Sequence, residues 1–195
     1  MAEQKPRRTP LAAAADLLAE VTRAAGGAIA MAEVPFLSQL NLRLDPAGPA
    51  AEAVGTDLGL ALPTEAGTSA CSGDISVLWL GPDEWLVVGP AGAAEQLTAQ
   101  LRSAVGAEPA SVVDVSAQRT TLLLSGPRVR DVLAHGCSLD LHPSRFPAGR
   151  CAQTMLAHAP VILLPLPANE YWVLVRASFA RYLVDWLFDA TLEYR

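Results

Sequence analysis

Cys137, His142, Cys151 and His158 are the residues of this chain best suited to ligate a metal, and they follow one another with gaps of four, eight and six residues. A structural zinc site draws paired ligands from one tight turn, as in Cys-x2-4-Cys, because the first ligand then places the second. No such pair is present. The spacing instead expects Cys137 at the end of a helix behind Gly136 and His142 in a loop before Pro143, with no metal between them. His135, two residues ahead of Cys137, raises the idea of a thiol nucleophile with its base. Nearness in sequence does not supply that geometry, and the expectation is a small buried thiol beside an exposed imidazole.

A third group, Asp114, Ser116, Gln118 and Arg119, sets polar side chains between two apolar runs. Either Arg119 grips an anion or carboxylate, or these residues form a turn network in which Asp114 pairs with Arg119 across the connection; the network is the stronger reading. Gly81–Pro82 and Gly89–Pro90 place proline where a phosphate cradle needs a donating backbone N–H. The sequence has no Walker loop, no Gly-x-Gly-x-x-Gly run and no His-Glu-x-x-His motif. Trp79, Trp85, Trp172 and Trp186 fall at strand or helix positions and read as core or interface residues. The expectation is therefore that this chain holds no catalytic residue, no cofactor-binding residue and no metal site.

The elements around these residues are clearest in the second part of the chain. Strands are expected at 75–80 and 84–88, joined by the turn Gly81–Pro82–Asp83. A helix at 93–105 follows, with Leu97, Leu101 and Val105 on one face. Strands at 111–115 and 120–124 precede a helix to about 134. Strands at 161–166 and 171–175 flank the turn Pro167–Ala168–Asn169, and Ser178 is expected to cap a last helix to about 192. Earlier, Thr9 and Pro10 read as the start of an Ala-rich helix ended by Gly26–Gly27. Residues 36–44 read as a strand, and 59–62 as a possible one. Strand–turn–strand–helix thus recurs after roughly 85 residues, with an acidic–aromatic pair leaving each turn (Glu84–Trp85, Glu170–Tyr171), and 111–134 reads as a third such unit. The fold class is α+β: repeated strand–turn–strand–helix units, mainly antiparallel sheets backed by helices. The organisation expected is an N-terminal disordered segment and short helix at 1–32, then an α+β region at 33–195 with subdomains at about 33–110 and 111–195.

The 195 residues are 51% hydrophobic but only 17% charged, so either apolar patches stay open or another chain covers them. The C-terminal helix, with Phe179, Tyr182, Leu183, Trp186 and Leu187, and the Trp-bearing hairpins are expected to need that cover. A net charge of −6 argues against nucleic acid. Asp16, Glu20 and Arg23 interrupt the apolar start that would make an export signal, and no apolar run is long enough to span a membrane. Three cysteines without an export signal read as reduced thiols in the cytoplasm.

Several stretches together carry a family likeness: Leu80-Gly-Pro-Asp-Glu-Trp-Leu-Val-Val, Val113-Asp-Val-Ser-Ala-Gln-Arg-Thr-Thr, Gly136-Cys-Ser-Leu-Asp-Leu-His-Pro, Gly149-Arg-Cys-Ala-Gln-Thr and Tyr171-Trp-Val-Leu-Val-Arg-Ala-Ser-Phe-Ala. From about Pro35 to the C-terminus, and most strongly after Trp79, the chain resembles the gamma subunit family of heterotetrameric sarcosine oxidase. The resemblance implies an aminomethyltransferase-like fold and a complex with alpha, beta and delta subunits. That complex oxidatively demethylates sarcosine to glycine, with hydrogen peroxide and a one-carbon unit passed to tetrahydrofolate. FAD, FMN, NAD and zinc are implied for the other subunits, and no cofactor for this one. Two other functions stay open. One is a stand-alone folate-dependent one-carbon transferase, for which Asp114 or Glu84 would hold the amine. The other is a folate-binding or related scaffold protein.

Overall fold

A computed structural model describes residues 7–195; the rest of the expected terminal segment lies outside them. Ten strands form two five-stranded antiparallel sheets. The first contains β1 (Ala30–Val34), β7 (Arg119–Ser125), β8 (Ala152–Leu156), β9 (Ala159–Leu166) and β10 (Glu170–Arg176), in the order β1-β7-β10-β9-β8. The second contains β2 (Ser38–Leu44), β3 (Ser69–Ser72), β4 (Ile75–Gly81), β5 (Glu84–Gly89) and β6 (Ala110–Asp114), in the order β3-β4-β5-β2-β6. Five helices complete the chain: α1 (Ala15–Ala24), α2 (Pro49–Leu58), α3 (Ala94–Val105), α4 (Val129–Ala134) and α5 (Ala177–Ala190).

Strict alternation along the hairpins makes this a four-layer stack. Trp85 and Val87 point into a core shared with α2 and α3, whereas Leu86 and Val88 point the opposite way. In the other sheet Tyr171, Val173 and Val175 face the helices, and Leu174 faces away. The two inner faces meet, with Leu78, Leu86 and Val88 packed in one cluster with Ile162, Leu164 and Leu174. Successive side chains on a strand point to opposite faces, so a strand covered on both sides reads as a continuous apolar run. Val161–Leu166 and Leu86–Val88 are such runs.

The two hairpins occupy equivalent places. Trp85 lies opposite Leu42 and Trp79, and Tyr171 lies opposite Leu124 and Pro165. Each hairpin leads into a helix that covers the outer face of its own sheet. The expected third unit does not exist as such, because β6 pairs with β2 in one sheet and β7 pairs with β1 and β10 in the other. One strand is out of sequence: β1 precedes β2 but completes the sheet of the C-terminal half, whereas β2 to β6 follow one another in the other sheet, with β6 lying across the expected boundary. A cut at residue 110 therefore separates neither sheet cleanly. Of the segment before residue 33, the part from Leu11 onward is likewise built into the fold, with Leu11, Ala14, Leu18 and Val21 buried against the sheet that contains β1.

Other expectations need correction. Residues 59–62 form no strand. Instead Pro49 opens α2, Ala50, Val54 and Leu58 bury at four-residue intervals, and Gly59 ends it with φ +69°. The Leu60 N–H then donates to the Gly55 carbonyl at 2.9 Å, as a Schellman-type end requires. Neither Thr9 nor Ser178 caps a helix through its side chain; a 3-10 turn (Ala12–Ala14) leads into α1, and Arg176 precedes α5. The aromatic surplus expected on α5 is mostly covered within the chain, since Leu183 and Leu187 are buried and Phe179 and Trp186 pack against the same core. Of the large apolar side chains described, Val113, Met155, Tyr182 and Leu192 are exposed.

Two positions test this packing. Gly126 has φ +112°, and an added Cβ would stand 2.5 Å from the Ala28 carbonyl oxygen, so Gly126→Ala should lower the unfolding free energy by about 3 kcal/mol. Thr121 is buried facing the inner layer, and its hydroxyl has no partner among the described residues. Thr121→Val should raise stability by about 1 kcal/mol. Urea titrations of both variants measure these opposite shifts.

Candidate functional site

The four possible metal ligands are spread through the fold. Cys137 follows the end of α4, donates its backbone N–H to Leu133 at 2.9 Å and is buried in the helix-side core of its sheet. Cys151 lies in the inner layer on the opposite face, where its thiol donates to the Thr68 and Trp79 carbonyls at 3.2 and 3.5 Å. His142 closes a local turn, with Nδ1 2.8 Å from the Ser144 hydroxyl. The His158 backbone N–H donates to the Tyr182 hydroxyl at 3.3 Å. His135 pairs not with Cys137 but with Glu193, at 3.1 Å. Among the described residues no three His, Cys, Asp or Glu side chains converge in a way that could hold a metal ion.

The polar segment between β6 and β7 divides into two parts. Asp114 accepts the Ser116 backbone N–H at 2.9 Å, and the Ser116 hydroxyl accepts the Gln39 N–H at 2.9 Å. Val115 donates to the Gln39 carbonyl at 2.8 Å. This is the turn network, and it ties the two links that cross between the sheets. Arg119 is not part of it and does not pair with Asp114. The register of β7 and β10 sets Arg119 directly opposite Arg176. Both line a cavity of about 480 Å³ together with Ser138, Gln153, Thr154 and Met155. Partial burial and, after it, the charge of Arg176 hold the Arg119 guanidinium below the ordinary arginine range, with Glu84 partly offsetting them. Glu84 itself accepts the Asn41 side-chain amide at 2.7 Å. Arg119 also lines a second cavity, of about 220 Å³, with Arg7, Arg8 and Thr9. The sequence offered Arg119 but not its neighbour, because the pairing depends on which strands become adjacent.

The profile of the "Sarcosine oxidase, gamma subunit family" matches residues 43–193. The chain belongs to that family. It is 38% identical over 189 residues to the sarcosine oxidase subunit gamma of Arthrobacter sp., a match covering 96% of this chain and 91% of that one. The corresponding subunit of Corynebacterium sp. (strain U-96) is 39% identical over 191 residues, with the same shares covered. The gamma-family chain also superposes, with a TM-score of 0.86 and 38% identity over 96% of both chains, on a chain in the structure of the heterotetrameric sarcosine oxidase from Corynebacterium sp. U-96 in complex with pyrrole 2-carboxylate. A more distant likeness, with a TM-score of 0.65 and 15% identity, is to the glycine cleavage system aminomethyltransferase T from Bartonella henselae; it spans 86% of this chain and 48% of that one. The gamma-family fold is therefore aminomethyltransferase-like, as the sequence resemblance implied. Covering 96% of the chain, the likeness also takes in most of the first 30 or so residues, which the sequence had set outside it.

The cysteines give a direct chemical check. Cys71 is exposed, whereas Cys137 and Cys151 are buried. Burial pushes the Cys151 thiol up to about 11 from the ordinary value of 9.0, with a backbone hydrogen bond of Trp79 and, after it, Arg150 partly offsetting it. In the native chain at pH 8, a thiol reagent such as Ellman's should react quickly with Cys71 and with the other two only on unfolding. The folded state also holds the Cys151 proton more tightly than the unfolded state does. The stability from this group is complete below about pH 9 and is lost as pH rises toward 11. Cys151→Ala should flatten that part of the stability curve relative to the unsubstituted chain, as read by urea midpoints across the range.

Proposed function

We propose that the chain serves as a non-catalytic gamma subunit of a heterotetrameric sarcosine oxidase, beside alpha, beta and delta subunits. The observation that carries the reading is the family likeness, continuous over nearly the whole chain and shared with a chain of a heterotetrameric sarcosine oxidase. The complex oxidises the N-methyl group of sarcosine, releasing glycine and hydrogen peroxide and passing the one-carbon unit to tetrahydrofolate. FAD, FMN, NAD and zinc belong to the other subunits, and the assembly is cytoplasmic. No helix among the described residues is long and apolar enough to cross a membrane.

The geometry supports a structural rather than a chemical role. Four groups that could have acted as acid, base or nucleophile are engaged in holding the fold: Asp114 in the crossing turn, Glu84 with Asn41, Cys137 and Cys151 in two separate cores. The amine-holding carboxylate that a stand-alone transferase requires is thus committed at both candidate positions. The chain also spans less than half of the aminomethyltransferase it resembles.

Expression alone and together with the other three subunits tests this. The chain alone should show no flavin absorbance and no sarcosine-dependent peroxide release. Co-expressed, it should co-purify with the flavin-bearing chains, and its omission should reduce the yield of active complex by roughly tenfold or more. A yellow, sarcosine-oxidising preparation of the single chain would overturn the proposal.

A further inference from the structure

We propose that the Arg119–Arg176 cavity is a docking pocket for a carboxylate side chain of another subunit, an inference that rests on the assembly proposed above. Several features set this pocket apart. Directly opposed like charges on neighbouring strands repel one another, and β7 and β10 are neighbours in the middle of their sheet. Neither guanidinium makes a hydrogen bond or an ion pair with a side chain among the described residues, whereas Arg43, Arg128, Arg145, Arg150 and Arg181 each have a carboxylate partner. Arg119 is only half exposed, whereas Arg176 is exposed; burial and Arg176 disfavour the charged form of Arg119, and Glu84, already bonded to Asn41, offsets them only in part.

A half-buried cation held against a like charge costs stability unless an anion completes it. Two planar guanidinium forks suit a carboxylate, which accepts bidentate hydrogen bonds from such groups. The wall of the pocket points to a polypeptide source. Met155, on the edge strand β8, is an exposed apolar residue at 46% of its full accessibility. It lies beside the polar side chains of Ser138 and Thr154, so the pocket presents apolar area next to a cationic floor. An acidic residue flanked by aliphatic ones would cover both. Charge complementarity favours the same occupant: the chain is acidic overall, with a net charge of −6, yet it places Arg7, Arg8, Arg119 and Arg176 around two adjoining cavities. A cationic site on an acidic protein selects an acidic segment against the background repulsion that both chains would otherwise share.

The test uses the full chain, tagged and co-expressed with the other subunits. Arg119→Gln with Arg176→Gln should leave the isolated chain folded at an equal or higher melting temperature, because a repulsive pair with one half-buried member is removed. The same double variant should retain roughly tenfold less of the other subunits at about 0.15 M salt. The unsubstituted complex should dissociate progressively as salt is raised, and the variant's residual complex should show a shallower dependence. Arg119→Lys with Arg176→Lys keeps the charges but not the forks and should fall between the two. Unchanged retention by the Gln variant would overturn the inference, and so would a fall in melting temperature that accompanies the loss of retention, which would assign the arginines to folding. Stabilisation of the isolated chain by succinate or inorganic phosphate, with assembly unaffected by the Gln substitutions, would assign the pocket to a free anion and overturn the partner as occupant. If the unsubstituted chain retains no other subunit, the assembly reading itself fails, a result distinct from all of these.

Discussion

The contact between the inner faces of the two sheets is the constraint on which the rest of the molecule depends. Leu78, Leu86 and Val88 on one side and Ile162, Leu164 and Leu174 on the other are almost entirely removed from solvent. At about 1.5–3 kcal/mol for each fully buried aliphatic side chain, this layer alone contributes on the order of 10 kcal/mol, as much as a whole domain's net stability. Its consequence is that both hairpins must be apolar on both faces. One face then needs a sheet and the other needs helices, which fixes the order of the layers. The polar atoms that enter the layer are few, and Gln39 and Thr121 do so at matching positions, each just before the leucine that pairs with an edge strand.

That constraint also explains the composition. A chain with so few charged residues could be read as one that leaves apolar surface for a partner. Three separate buried clusters in 195 residues absorb most of that hydrophobic material internally. What the surface offers instead is a cationic cavity beside an exposed methionine, and edge strands that the chain itself partly caps, as Thr22 does at Met31 and Arg102 at Val112. Recognition by such a surface depends on placed charge and shape more than on bulk hydrophobicity.

The hairpins and α3 were legible because their signals are local: Gly81–Pro82–Asp83 turns the chain, and Leu97, Leu101 and Val105 mark one helix face. The helix α2 was not, although Pro49 and Gly59 bracket it, because its small residues give a weak apolar stripe. β1 and β8 were missed for a related reason. Ala30, Ala32, Gln153 and Thr154 carry little strand signal, and these edge strands are held by their neighbours rather than by their own sequence. The placement of β1 in the far sheet has no local signature at all, since nothing in a strand's pattern says which sheet it will join. The same limit hid the cationic pocket. Arg119 drew notice as an unexplained polar residue, but its meeting with Arg176 is a product of long-range register.

The displaced strand β1 bears on how the chain can be made. During synthesis β1 leaves the ribosome long before β7, its only neighbour in the sheet, so Met31 has no ladder until Leu124 has emerged. At about 5–20 residues per second that interval lasts several seconds. Throughout it the buried stripe of α1, Leu18 and Val21, has no sheet to cover it. The N-terminal sheet, built from the consecutive strands β2 to β6, has all its strands once β6 appears, but its inner face stays uncovered until β9 and β10 emerge. The nascent chain therefore carries exposed apolar surface until nearly all of it has been translated.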